Sequence, residues 1–291
     1  VLVEGNSKTR DNVILREMRL TDGEAFEGSK LRRSTERLNR LGYFEVAEAE
    51  LVPTENEEEV DLKVKVKERP TGALMAGVGY STFSNVGVSA TIMERNLWGK
   101  GYHLSLQAAF SGRRDAYTLS FTNPRLYDTP LSVGVDAYHW RDDYIDYMKK
   151  TTGGVLRFSY PVGEYTSLGW GYRLDQYKIY DVDWDASEYI KRNDVGHRWT
   201  SVAMARIVRD STDSDRPTKG HGDSLTVEYG CGVIGGDHDF VSMAAEHPSY
   251  YQLLPDHGLH SPPQGQALPH NGPDALPSFG RLRLGGAHRV P

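Results

Sequence analysis

The segment LKVKVKERPTGALMAGVGY, residues 62–80, separates two sequence patterns and decides the fold. Before it, charged and apolar residues form a small α+β pattern. After it, a series of segments alternates between apolar and polar residues. Pro70 cannot donate to a strand ladder and Gly72 relaxes the backbone, so the pair marks the boundary between two sheets. We therefore expect a water-soluble module over residues 1–69 and a membrane β-barrel from residue 70.

The first module begins with a helical pattern. Val13, Ile14 and Met18 have the spacing of one helix face, and Ser7 or Thr9 can cap the helix N-terminus. Residues 1–6 resemble the end of a strand and a turn rather than a leader segment. We therefore expect the chain to begin inside a longer protein.

A second helix and two strands complete the module. The helix is predicted over residues 29–41 and ends at Gly42 in a C-cap position. A slightly irregular strand over 44–51 is followed by residues 60–67, where apolar and charged residues alternate. The predicted order is β-α-α-β-β. An exposed edge of such a sheet can accept a strand from another chain, and a small domain without a ligand fits the pattern equally well.

The rest of the chain up to residue 240 predicts antiparallel β-structure. Five segments alternate with a period of two residues: 102–110, 117–122, 131–137, 168–175 and 224–229. A barrel would turn the apolar row towards lipid, whereas a soluble sandwich would bury it, and alternation does not separate the two. Compact connections at 96–101, 123–130 and 161–166 contrast with longer ones at 141–150 and 180–193. This asymmetry is typical of membrane barrels, which we favour over the sandwich.

Composition limits the function classes. The mean hydropathy is −0.55, and no run approaches the about 20 apolar residues of a spanning helix. The formal net charge of −6, without a basic stripe, gives no indication of a nucleic acid partner. Cys231 is the single cysteine and cannot form an internal disulfide. The aspartates between 210 and 215 lack the glycine and closing glutamate of a calcium loop. We expect no enzyme activity, no cofactor and no metal.

Several motifs occur in a specific order along residues 1–240. They are ERLNRLGYFE at 36–45, VKVKERPTG at 64–72, GVGY at 77–80, NLWGKG at 96–101, FTNP at 121–124 and PTKG at 217–220. Together they resemble the BamA family of outer-membrane β-barrel assembly proteins, within the POTRA-plus-barrel insertase superfamily. The resemblance implies that residues 1–69 are the last periplasmic POTRA domain, lacking most of its first strand. It also implies that residues 70–240 are the first half of the barrel, with about eight or nine strands.

The resemblance further implies a function in folding and inserting outer-membrane proteins. In the family, the first barrel strand forms one side of a lateral gate, and its edge templates strands of unfolded client proteins. The corresponding residues here are Gly72, Ala73, Leu74, Met75, Ala76, Gly77, Val78, Gly79 and Tyr80. The glycines suit a weakly held edge, and they suit twist at a barrel seam equally well. Asp22 and Gly23 lie where the family's last POTRA domain contacts a lipoprotein partner of the assembly complex.

Two alternatives of other classes remain open. A two-partner-secretion or related outer-membrane translocation pore has the same POTRA-plus-barrel plan, and a soluble sandwich would be a binding module. The family's Val-Arg-Gly-Phe loop motif and closing strands are absent.

The last 51 residues have a different composition. They hold eight of the 14 prolines and five of the 10 histidines. Because proline interrupts a ladder, residues 241–291 predict disorder or a shifted reading frame, with a genuine proline-rich tail as the alternative.

Overall fold

The computed structural model describes residues 1–20, 23–53, 60–81, 85–188, 190–191, 195–211, 220–230, 232, 235–237 and 239–250. These residues form two compact units. The first contains residues 1–154 and 178–195, and the second contains 155–177 together with the residues from 196 onwards. No helix among the described residues is long and apolar enough to cross a membrane.

The N-terminal module has the predicted β-α-α-β-β order. Its elements are β1 (Leu2–Glu4), α1 (Asp11–Leu15), α2 (Gly28–Leu41), β2 (Phe44–Pro53) and β3 (Val60–Glu68). The three strands form one sheet in the order β1-β3-β2, in which β1 runs parallel and β2 antiparallel to β3. The irregularity expected in β2 is a register shift between Phe44 and Val46. Strand β2 therefore lies at an edge of this sheet.

The core of the module forms between the two helices and the inner face of the sheet. Val13, Ile14, Leu38 and Val64 are almost fully buried there. The alternation in β3 places Leu62, Val64 and Val66 on this face because successive strand residues point to opposite sides. Gly42 ends α2 in the left-handed conformation, as predicted.

The predicted N-cap of α1 is wrong. Arg10 occupies the cap position and makes no side-chain cap hydrogen bond. Ser7 and Thr9 instead use their side chains in contacts with distant parts of the chain. The first turn of α1 is thus positioned by tertiary contacts rather than by a local cap.

The remaining strands form an antiparallel sheet of eleven strands, in which β4 to β13 pair in sequence order and β14 pairs with β12. Its strands are β4 (Gly72–Ser81), β5 (Asn85–Leu97), β6 (Tyr102–Ser111), β7 (Arg114–Asn123), β8 (Ser132–Asp143), β9 (Met148–Pro161), β10 (Thr166–Tyr180), β11 (Gly196–Asp210), β12 (Gly220–Gly230), β13 (Phe240–Glu246) and β14 (Ser249–Tyr250). The ladder thus extends past residue 240. Of the Pro- and His-rich tail, residues 251–291 lie outside the described residues.

One face of this sheet carries exposed apolar side chains. Paired residues on four neighbouring strands are 74%, 57%, 47% and 46% exposed, namely Leu74, Ile92, Leu106 and Leu119. A soluble sandwich would cover such a row with a second sheet. An exposed apolar row this broad is typical of barrel strands that face lipid. The sandwich alternative is therefore wrong, and the strands are those of a membrane barrel.

The opposite face carries a polar row across three paired strands. Ser105 pairs with Ser120, which pairs with Asp136. The alternation seen in the sequence thus separates an apolar outer row from a polar row, as barrel strands require.

The longer loop expected at residues 141–150 is shorter than predicted. Only residues 144–147 lie between β8 and β9. The Tyr144 amide donates to the Tyr147 carbonyl at 2.9 Å, and their rings stack with centroids 4.8 Å apart. The polar residues that suggested a loop belong to the strand ends.

We expect an arginine on the apolar face to block barrel folding. Leu119→Arg should destabilise the folded barrel by about 2–4 kcal/mol, because it moves a charge into hydrocarbon. Ser120→Arg is the matched control, since it lies next in the same strand, faces the polar side and has Asp136 opposite. The folded fraction in membranes, measured by heat-modifiable electrophoretic mobility, should fall for Leu119→Arg alone. Equal loss in both variants would contradict the assigned faces.

Candidate functional site

Strand β4 contains all nine residues predicted for the client-pairing strand. It pairs antiparallel with β5 from Gly72, opposite Glu94, to Ser81, opposite Asn85. It lies at the end of the strand order, and no described strand pairs with its other side. All ten of its residues are exposed. Among the described strands, β4 thus has one unpaired side, as β13 has at the other end of the order.

The three glycines of β4 have different surroundings. A Cβ at Gly79 would lie in open space, whereas one at Gly77 would make a tight contact of 3.3 Å with the Ser89 hydroxyl oxygen. A Cβ at Gly72 would lie 3.4 Å from a Glu94 carboxylate oxygen, and none of the three glycines has a positive φ. That the glycines weaken the hold of β4 on β5, or that they provide twist at a seam, stays a prediction.

A loop of the N-terminal module connects it to this sheet. We call residues 7–10, between β1 and α1, the junction strap. Glu68, the last residue of β3, accepts hydrogen bonds from the backbone amides of Ser7 at 3.0 Å, Lys8 at 2.9 Å and Thr9 at 2.6 Å. The Ser7 hydroxyl donates to the same carboxylate at 2.7 Å. Glu68 thus fixes the junction strap to strand β3 of the POTRA sheet.

The electrostatics of Glu68 follow from these bonds. Partial burial raises the pKa of Glu68, but the hydrogen bonds from Thr9, Ser7 and Lys8 outweigh it and lower the pKa to about 2. The carboxylate is therefore charged at neutral pH and favours the folded junction.

The outer side of the strap binds the β5–β6 hairpin. Lys8 Nζ donates to the Glu94 carboxylate and to the Thr71 hydroxyl, each at 3.1 Å. The Thr9 hydroxyl oxygen accepts from Asn96 Nδ2 at 2.8 Å. The Arg10 amide donates to the Gly99 carbonyl at 2.9 Å. Three consecutive residues of the strap thus each bind the sheet.

Asn96 fixes the β5–β6 turn from inside. Its side chain is 1% exposed, and its Oδ1 accepts from the Gly101 amide at 2.8 Å. A buried side-chain amide without hydrogen-bond partners is costly, so the bonds made by its Nδ2 and Oδ1 atoms specify how the turn packs against the strap. Gly99 has φ +70°, and a Cβ there would lie 1.8 Å from the Lys8 carbonyl oxygen. Only glycine allows the strap to approach this closely.

A second contact joins the module to the β7–β8 turn. Glu17 is buried and accepts from Arg125 Nη2 at 3.1 and 3.3 Å, and Arg37 Nε lies 3.7 Å from it. Arg16 Nη1 lies 3.3 Å from Asp128. A buried carboxylate without its cations would strongly destabilise the fold, so these pairs fix the geometry of the contact.

The predicted partner site has a different position. Gly23 is exposed in the connection between α1 and α2, where it adopts φ +81°. Asp22 lies outside the described residues. Gly23 therefore lies in a connection of the N-terminal module and not in β4. Partner binding at Gly23 stays a prediction.

The junction strap was missed by sequence reasoning. Its contacts join residues 59 to 89 positions apart, from Thr9 with Glu68 to Arg10 with Gly99. Residues 64–72 and 96–101 carried part of the family resemblance, but no spacing rule connects them to residues 7–10.

A POTRA-type module fused to an antiparallel sheet with a lipid-facing side defines a POTRA-plus-barrel membrane protein. The Omp85 superfamily domain model matches residues 96–289, and the POTRA model, described as a surface antigen variable number repeat, matches residues 1–69. The chain belongs to the Omp85 superfamily. It is an outer-membrane protein whose POTRA domain lies in the periplasm.

Two relatives are outer membrane protein assembly factors named BamA. The protein of Nitratidesulfovibrio vulgaris is 57% identical over 291 residues, covering 100% of this chain and 37% of its own length. That of Neisseria meningitidis is 36% identical over 177 residues, covering 58% of this chain and 22% of its own. The chain thus spans little more than a third of the first relative. The first alignment and the superfamily match both include residues for which disorder or a shifted frame is predicted.

Solved structures agree on the fold. BamA from Haemophilus ducreyi lacking POTRA domains 1–3 superposes with a TM-score of 0.70 at 24% identity, covering 84% of this chain and 50% of that chain. CdiB from Acinetobacter baumannii gives a TM-score of 0.58 at 13% identity, with 84% and 47% covered. These likenesses support the fold class alone.

The Glu68 carboxylate should make stability depend on pH. We expect Glu68→Gln to destabilise the POTRA domain by about 2 kcal/mol at pH 7, after allowance for solvent screening. A carboxyl whose folded pKa is lowered stabilises above its unfolded pKa and loses this contribution as pH falls through the folded value. The difference from wild type should therefore shrink between about pH 4.5 and pH 2.

Urea titrations in detergent, followed by helical circular dichroism, measure this difference, since α1 and α2 are the α-helices of the described residues. A difference that persists unchanged at pH 2 would contradict the assigned role of Glu68.

Gly99→Ala should open the junction strap. The added Cβ meets the Lys8 carbonyl and the positive φ is unfavourable for alanine, so we expect at least about 2 kcal/mol of local destabilisation. Trypsin cleavage after Lys8 and Arg10 should accelerate by about 30-fold. Gly79→Ala is the matched control, because its Cβ enters open space. Equal cleavage rates in wild type and Gly99→Ala would show that the strap tolerates the side chain.

Proposed function

We propose that this chain assembles and inserts β-barrel proteins into the outer membrane by strand templating at β4. The observation that carries the proposal is the position of β4, which contains all nine residues that the family resemblance assigns to the client-pairing strand and directly follows the POTRA domain along the chain. One side of β4 pairs with β5 along its whole length. The two relatives are named outer membrane protein assembly factors, which supports the same activity.

The free energy for insertion would come from the client itself. An unpaired backbone N–H or C=O in hydrocarbon costs several kcal/mol, so an unfolded strand gains stability by pairing with β4. Its apolar side chains are buried in lipid at the same time. This mechanism needs no nucleotide or cofactor, because pairing and burial supply the driving force.

Weak packing of β4 suits a template that must release its product. The strand offers mostly small side chains, with Gly72, Gly77 and Gly79 among them. Backbone bonds are then the main attraction between β4 and a neighbour. A client strand can therefore compete for this edge without breaking a packed side-chain interface.

The POTRA domain offers a second edge for client or partner binding. Strand β2 ends its sheet, and a groove of about 440 Å³ beside it is lined by residues of α2 and β2, including Leu31, Thr35 and Ala49. We infer that an extended segment of a client adds to β2. A lipoprotein of the assembly complex would bind near Asp22 and Gly23.

The alternative function is that of a translocation pore of the two-partner-secretion type. The likeness to CdiB concerns the fold and does not distinguish the two functions. They differ in their client range, because an assembly factor serves many outer-membrane proteins and a secretion pore serves a dedicated substrate.

A photo-crosslinking amino acid at Val78 tests the proposal. Val88 is the matched control, since it lies opposite Val78 on the same face, on a strand paired on both sides. We expect Val78 to crosslink several newly made outer-membrane proteins in cells, and Val88 to crosslink few. Equal crosslinking at both positions would contradict templating at β4. Crosslinks to one dedicated substrate would favour the pore.

A further inference from the structure

The side chains of β4 specify its register only to within a shift of two residues. A slip of one residue would turn the apolar row that includes Leu74 and Val78 away from lipid, so the two faces of the strand oppose it. A slip of two residues keeps each row on its own face and, because all ten residues are exposed, meets no protein core. A strand that serves as a template needs a fixed register, since every client residue aligns relative to it. The position of β4 must therefore be set at its ends.

The end that begins at Gly72 is held by a group of polar side chains. Gly72 pairs with Glu94, and Thr71, the residue before β4, donates its hydroxyl to the Glu94 carboxylate. The same carboxylate accepts hydrogen bonds from the backbone amide of Asn96 at 2.9 Å and from Lys8 Nζ at 3.1 Å. Lys8 also reaches the Thr71 hydroxyl at 3.1 Å. We call Lys8, Thr71 and Glu94 the register bracket.

The register bracket connects β4 to the POTRA domain in two ways. Along the chain, Glu68 lies four residues before Gly72. Through space, Glu68 holds the amide of Lys8, whose side chain reaches Glu94. These hydrogen bonds connect the end of β3 to the start of β4 through space, and Thr71 is buried among them. A shift of β4 by two residues would move Thr71 away from both Glu94 and Lys8 and break its two contacts together.

We propose that Lys8, Thr71 and Glu94 are positioning residues that set the register in which a client strand pairs with β4, by fixing its first residue to the POTRA domain. This inference rests on the proposed templating function. Clients delivered along the POTRA domain would meet a template whose alignment is defined by that domain. The bracket touches β4 at one end only, so the rest of the strand stays available for pairing.

A disulfide register map tests the inference. Cysteine replaces Val78 in a chain whose Cys231 is replaced by serine. Outer-membrane vesicles carrying this variant are mixed with a urea-unfolded barrel protein that bears single cysteines along its final strand. With the bracket intact, one client position should dominate. Lys8→Met keeps a long side chain and the hydrogen bond from the backbone amide of residue 8 to Glu68. In this variant the disulfide yield at the dominant client position should fall about threefold, and disulfides should also form at client positions two residues away.

Controls separate positioning from general damage. Lys30→Met removes a POTRA lysine paired with Glu24 at 3.3 Å, away from β4, and should leave the map unchanged. Lys8→Arg keeps the charge and should restore the single register. Glu94→Gln should spread the register like Lys8→Met, and the double variant should be no worse than either single one.

The outcomes distinguish the two proposals. A single register in Lys8→Met, with yield equal to wild type, overturns the role of the bracket and leaves templating standing. A lower total yield without spreading also overturns it, because loss of structure alone would give that result. Absence of crosslinks at Val78 in every variant, including the intact bracket, overturns templating itself.

Discussion

The whole barrel part depends on one constraint, which is that its apolar face needs a hydrocarbon environment. Rows such as Leu74, Ile92 and Leu106 are exposed across paired strands, and water would make that surface a site of aggregation. In lipid the same surface stabilises the strands. Lipid cannot satisfy backbone hydrogen bonds, however, so every strand edge at membrane depth must find a partner. Under the proposed function, the side of β4 that faces away from β5 finds this partner in a client strand.

The contacts between the POTRA domain and the barrel turns are directional and hold the two parts in a defined position. The junction strap and the Glu17 contact hold the POTRA domain to the β5–β6 and β7–β8 turns through charged and buried polar groups. Such contacts are directional, and a half-satisfied network is costly. The first hairpin of the barrel therefore combines a rigid base with an exposed edge. The proposed templating function needs both properties, since the strand must be available to its clients and yet keep a defined position.

The fold could be predicted because its signals are local. Alternation over 102–110 and 117–122 predicted β6 and β7. The helical spacing of Val13, Ile14 and Met18 predicted α1, although this helix ends at Leu15, before Met18. Gly42 was recognisable as a helix end because the left-handed conformation favours glycine. Alternation alone could not decide between lipid and a protein core on the apolar side, and the exposure of Leu106 and Leu119 was needed for that.

The junction could not be predicted, for a physical reason. Thr9 fits a helix cap by local rules, but a buried bond to Asn96, 87 residues away, takes its hydroxyl instead. Glu68 appeared as one more charge in an alternating strand, and its role depends on three amides that the fold brings to it. Local sequence patterns indicate which side chains can form hydrogen bonds. Which partner each side chain finds depends on how distant parts of the chain pack together. The candidate strand β4 was predictable only through the family resemblance.

The closeness of Gly99 to the Lys8 carbonyl has a consequence for hybrid proteins. A chimaera that takes its POTRA domain from one relative and its barrel from another would place the strap against a foreign hairpin. A boundary cut at residues 69–70, where the domains part along the chain, would separate groups that evolved to fit each other. Residues 7–10 and 94–101 should then come from one parent, so the natural unit of exchange crosses the domain boundary.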